Sequence, residues 1–188
     1  MNFKPIDKVK TALILILGVS LVQAQIPLER KKVTDEISMK VPGNFISMTD
    51  GERNQRYISY RTPIAMFTNI ERTVDLGINV TGSTWDTGDL SVLKDFYKSN
   101  ILNLYTEVDF IQEGIKTIGQ RDYIVFEFQS KVYEENSFRN EVIAKYTYIQ
   151  YTLHQDKILL FHFTAPRQLK SDWEQPVSEI MESVRIKS

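Results

Sequence analysis

The stretch KILLFHFTAP, residues 157–166, decides the fold. Its side chains alternate into two sets, Leu159, Phe161 and Phe163 on one side and Ile158, Leu160 and His162 on the other, and both sets are apolar apart from the histidine. Successive strand residues face opposite ways, so a strand with one apolar set needs one cover and a strand with two needs cover on both sides. This one belongs in the middle of a layered structure, with helices over both faces. Upstream lie EVIAKYTYIQYTLH (141–154), RDYIVFEFQSKVY (121–133) and FIQEGIKTI (110–118), joined through Gln155-Asp156, the polar loop EENSFRN (134–140) and Gly119. Within 121–133, Ile124, Phe126, Phe128 and Val132 point one way and Glu127, Gln129 and Lys131 the other. The links are too short for parallel crossovers, which makes these strands an antiparallel meander.

The cover is supplied by two stretches that change period. In GDLSVLKDFYKSNILNLY (88–105), Leu90, Leu93, Phe96 or Tyr97, Ile101 and Leu104 fall on one helical stripe, with Thr87 or Asp89 as the cap. After the last strand, Leu169, Trp173, Val177, Ile180, Met181 and Val184 recur at three- and four-residue steps. SDWE (171–174) reads there as a capping box with Ser171 at the N-cap, and Pro176 predicts one turn, a break, and a second helix with the proline in its first turn. Nearer the N-terminus, ISMKVP and FISMT flank the turn signal Pro42-Gly43-Asn44, and YISYRTPIAMFTN (57–69) and VDLGINVTG (74–82) add β-rich runs. In the last of these Leu76, Ile78 and Val80 are expected inside, and Asp75, Gly77, Asn79 and Thr81 in water. The fold class is α+β: a central antiparallel β-sheet meander covered by helices on both faces.

Residues 1–24 are set apart from this domain. Lys4, Lys8 and Lys10 precede the apolar run TALILILGVSLV, and Val22 and Ala24 place small residues before a cleavage point between Ala24 and Gln25, the three-part pattern of a secretory signal. The apolar run is too short to span a bilayer before the chain turns polar at QAQIPLERKK. Export is therefore expected, to the periplasm or beyond, with no membrane span in the mature chain. The sequence has no cysteine, which leaves no lipid attachment point behind the signal and no disulfide framework. Residues 25–35, a charged leader, read as a mobile N-terminal arm, and 36–188 as a single domain. The near-zero net charge, −1, gives no electrostatic basis for a nucleic-acid partner.

No catalytic constellation survives a reading of the residues. The two histidines, His154 and His162, flank the Gln155-Asp156 hairpin, and with His154 opposite Lys157 they stand roughly 16 Å apart, far beyond the reach of one metal ion. Ser171, Ser178 and Ser183 sit on the C-terminal helix without a nucleophile elbow, and glycines never take phosphate-loop spacing. No cofactor is called for. Glu134, Glu135 and Glu141 cluster at one loop, but exposed acidic loops are normally solvated. Trp85, in the loop between strand and helix, and Asn136, Phe138 and Arg139, in the 134–140 loop, are the candidate partner-binding residues. Asn79-Val80-Thr81 has the form of a glycosylation acceptor, placed on a strand.

The element order resembles the PsbP-like family, which includes the extrinsic oxygen-evolving-complex protein of chloroplasts, a Ran-binding import factor and many exported bacterial proteins. The resemblance rests on ISMKVPGNF (37–45), LGINVTG (76–82), LSVLKDFYKSNIL (90–102), GQRDYIVFEFQSK (119–131), QYTLHQDKILLFHFTAP (150–166) and VSEIMESVRI (177–186). Phe45 stands where tryptophan is common in that family, and the metal and photosystem contacts of the plant members find no matching residues here. The resemblance implies a sheet between helices and a role in binding or assembly. The expectation is an exported, non-enzymatic module for a protein or apolar ligand, its oligomeric state not legible from the residues. The alternatives are a carrier of lipid or hydrophobic segments, in which Tyr146, Tyr148, Tyr151, Phe161 and Phe163 line a cavity, and a small hydrolase using surface carboxylates or His162.

Overall fold

A computed structural model describes residues 26–57, 62–84, 89–133 and 142–187, with side chains undescribed at 82–84. Among the described residues, ten strands and three helices follow one another as β1 (Leu28–Lys32), β2 (Ile37–Pro42), β3 (Ile46–Ser47), α1 (Asp50–Arg56), β4 (Ala65–Thr68), β5 (Asp75–Thr84), α2 (Leu90–Leu104), β6 (Glu107–Ile118), β7 (Arg121–Tyr133), β8 (Val142–His154), β9 (Lys157–Pro166), α3 (Lys170–Glu182) and β10 (Arg185–Ile186). The main sheet has seven strands in the order β3-β4-β5-β9-β8-β7-β6, and β1, β2 and β10 form a second, smaller sheet. The expected meander is thus β6 to β9. β3, β4 and β5 join it on the other side of β9, and the chain between β5 and β6 crosses the sheet through α2. Gln155 and Asp156 take positive φ, 49° and 58°, the backbone that a two-residue turn needs to match the twist of its strands.

The two side-chain sets of β9 enter different buried clusters. Leu159, Phe161 and Phe163 join Leu76, Ile78, Tyr146 and Tyr148, and this cluster is closed by Trp173, Val177, Ile180 and Met181 of α3 and Met39 and Val41 of β2. Trp173 lies 5.1 Å from Phe163 and 5.5 Å from Phe45, so the smaller ring at position 45 fills its place by tilting on the indole. Ile158 joins Ile124, Phe126, Phe128 and Tyr151 in the second cluster, closed by Leu93, Tyr97 and Ile101 of α2. Tyr97 stacks on Tyr151 at 3.8 Å and 10°, while Phe96 and Leu104 stay exposed, which resolves the choice between positions 96 and 97.

Four expectations differ from the structure. Residues 25–35 contain β1, which pairs with β2 from Leu28↔Pro42 to Lys32↔Ser38, because β2 would otherwise present an open ladder edge and Leu28 packs on the core. α3 is one continuous helix with Pro176 inside it, and Ser171 is not its cap. A 3-10 turn, Arg167–Leu169, leads into it from Leu169, and Glu174 turns to Lys170 at 2.8 Å instead of closing a capping box. Proline cannot supply the bond to the Asp172 carbonyl, and the buried stripe on both sides of it carries the helix through. α1 was not expected. Thr49 and Glu52 form a capping box at its start, and it buries no residue. Finally, Asp75 and Gly77 are buried, not wet.

Candidate functional site

Asp75 begins β5 on the sheet face that β9 shares through His162, with Gly77 directly opposite that histidine. The carboxylate is 2 % exposed. Its Oδ2 accepts from Arg56 Nη2 at 2.6 Å and from Tyr57 Oη at 2.5 Å, both delivered by the end of α1, and its Oδ1 has no hydrogen-bond partner among the described residues. A buried carboxylate demands such partners, since an unpaired one would neutralise itself by taking a proton. The Tyr57 phenol is raised by burial first and by its bond to Asp75 second, so it remains a donor. The ring of His162 lies 6.2 Å from that of Tyr57.

His162 is held where only glycine fits beside it. A β-carbon at position 77 would stand 2.0 Å from His162 Cε1 and 2.5 Å from Met66 Sδ. Burial lowers the imidazole to about 4, with the Asp75 charge opposing, so the ring is neutral at neutral pH. Asn79 Nδ2 lies 3.4 Å from Nδ1, within hydrogen-bond reach of the ring. Among the described residues, the His162 ring bonds to this amide and not to a hydroxyl. His154, five register positions away at the hairpin, instead faces Glu36 at 3.2 Å. Among the described residues, no three His, Asp or Glu side chains converge at metal-ligand spacing, and no helix is long and apolar enough to cross a membrane.

The surface near the 3-10 turn is polar. A cleft of about 520 Å³ runs past Gln129, Arg167, Lys170 and Glu174, and a second, of about 430 Å³, past Glu107, Asp109 and Lys131. Arg167 Nε donates to Gln129 Oε1 at 2.7 Å, and Glu107 takes Lys131 at 2.6 Å and the Tyr133 hydroxyl at 2.7 Å, so the Glu107 and Lys131 charges are matched. Those two bonds hold the Glu107 carboxyl below its ordinary range. Exposed apolar side chains gather next to this surface at the far end of the β7–β8 pair: Tyr133, Val142 and Ile143 are 44 %, 48 % and 40 % exposed.

The residues singled out from sequence, Trp85, Asn136, Phe138 and Arg139, lie outside the described residues, as do the acidic cluster at 134, 135 and 141 and the junction at Ala24 and Gln25. The Asp75 cluster escaped sequence reading because alternation assigns polar residues to water. The signal for it was present in part, as Thr49-x-x-Glu52 marks the helix that delivers Arg56 and Tyr57.

No family model and no curated protein matches the sequence. Solved structures do match. The cyanobacterial PsbP protein of Synechocystis sp. PCC 6803 superposes with a TM-score of 0.59 at 13 % identity, over 90 % of this chain and 98 % of that one. The Ran-binding protein Mog1p of Saccharomyces cerevisiae gives 0.58 at 11 % identity, over 86 % and 96 %. LpqN, involved in cell envelope biogenesis of Mycobacterium tuberculosis, gives 0.54 at 11 % identity, over 81 % and 83 %. The chain has a PsbP-like fold.

Proposed function

We propose that the chain is an exported, non-enzymatic module that binds a protein partner or assists its assembly. The observation that carries this reading is the position of the exposed apolar residues. Tyr133, Val142 and Ile143 stand at the end of the β7–β8 pair, on the two strands that border residues 134–141 in the chain, among them Asn136, Phe138 and Arg139. Exposed apolar groups beside polar neighbours mark interaction sites. The fold likeness supports it: Mog1p is by its name a Ran-binding protein, and LpqN is involved in cell envelope biogenesis. In this reading the main sheet is the middle of a sandwich, α2 on one face and α3 with the small sheet on the other, and its interior is a solid core.

The chemistry weighs against turnover. Among the described residues, the neutral His162 bonds to Asn79 and to no hydroxyl of the kind a hydrolytic relay requires. Tyr146, Tyr148, Phe161 and Phe163, which a carrier would use to line a cavity, are each at most 1 % exposed and pack on one another and on α3. Export rests on the leader at 1–24 and on cleavage after Ala24. Crosslinking in the native cell followed by mass spectrometry is the test, run with substitutions at Trp85, Asn136, Phe138 and Arg139. The expected result is a discrete protein adduct that the substitutions weaken; capture unchanged by all of them would remove those loops from the account.

A further inference from the structure

β8 has unequal edges. On one it pairs with β7 regularly from Val142 to Tyr151, and on the other it pairs with β9 only from Lys145, which stands opposite Pro166. β9 ends there and the chain turns away into the 3-10 turn at 167–169. Along residues 142–144, therefore, the outer edge of β8 has no strand beside it among the described residues. The lane that β9 vacates is a slot of about 310 Å³, walled by 142–145, stopped by Pro166, and bordered by Thr73 and Gln168. Val142 faces the side of its partner Tyr133, and Ile143 the side of Val132, so the strand at the slot is apolar on both faces.

The other long free edge of the sheet is defended. β6 carries a bulge between Phe110 and Gln112, and its Glu113 and Lys116 are charges paired to Lys98 of α2 and Glu182 of α3. Bulges and charges are what keep an edge from recruiting a foreign strand. Residues 142–144 carry neither, and the charge and the proline at the slot, Lys145 and Pro166, stand at its closed end. An apolar patch alone would accept many shapes, but an open ladder edge asks for one: an extended backbone presenting N–H and C=O groups at ladder spacing.

We propose that this slot takes an extended, apolar peptide segment of a partner protein, added to β8 as a short antiparallel strand in line with β9. The inference rests on the binding-module reading and gives its partner a form. β-branched residues fit it best, alternating between the Val142 and Ile143 faces.

The test uses the isotope-labelled chain and three probes: the acetylated, amidated peptide Thr-Val-Thr-Val-Thr-Lys, and two versions of it N-methylated at alternate positions, odd or even. The expected result is shifts at the amides of 142–145, about tenfold slower exchange of at least one edge amide with Phe161 in β9 unchanged, and loss of binding with one methylation pattern only. Equal binding of all three peptides, shifts along β6 instead, or no shift at millimolar peptide would overturn strand addition. A silent slot alongside a partner crosslinked elsewhere in the cell would leave the module reading standing; a silent slot with no partner would remove both.

Discussion

Gly77 has room for a hydrogen and nothing larger. An alanine there would drive its methyl into His162 Cε1 and Met66 Sδ, one of them a ring fixed between strands. Gly77→Ala is expected to cost about 1–3 kcal/mol in urea unfolding, and His162→Ala in the same chain to return part of that loss, the coupling expected of touching residues. The histidine also sets a pH profile. Its folded value of about 4 lies below its ordinary 6.5, so above pH 6.5 neither state holds the proton. As pH falls through 6.5 the unfolded chain takes up a proton that the native ring refuses, and stability drops until the folded value is reached. The slope from this one group is at most about 1.4 kcal/mol per pH unit. Urea midpoints measured from pH 7 down to about pH 4 should fall for the native chain and fall less steeply for His162→Gln.

α3 runs through a proline because its buried stripe outweighs one missing hydrogen bond. Trp173 and Val177 flank Pro176 and are 7 % and 1 % exposed, so leaving the helix would uncover both. Pro176→Ala restores the bond to the Asp172 carbonyl, and thermal melts should show a gain of about 1–2 kcal/mol, the helix benefit less the freedom returned to the unfolded chain. What sequence could and could not tell divides along the same line. The two-sided apolar pattern of 157–166 and the stripe of α3 are legible because burial leaves a periodic trace. α1 buries nothing, so only its capping box could announce it. LERKK in β1 has no strand pattern of its own; its place is made by the edge of β2. Helical period alone does not separate Phe96 from Tyr97, since neighbours border the same stripe, and the stack on Tyr151 decides it. The Asp75 cluster is assembled from α1, β5 and β9, and no local pattern encodes such a meeting.

At the scale of the whole molecule, the two buried clusters share the strands β7, β8 and β9, so damage on one face should be felt on the other. Tyr97→Ala removes the stack on Tyr151 and is expected to cost about 3–5 kcal/mol, as aromatic truncations in cores do. In a Trp85→Phe background, Trp173 fluorescence reports the opposite cluster, and it should lose its native signal in the same transition as far-UV circular dichroism. Two separate transitions would mean that the clusters unfold independently. The small sheet has a mechanical side. β1 and β10 flank β2, both antiparallel to it and hence parallel to each other; β1 enters opposite Pro42 and β10 leaves opposite Ile37. Tension applied between Leu28 and Ile186 would slide these strands lengthwise along β2, loading their rungs together instead of peeling them one by one, so the domain should grip hardest when tugged by its two ends.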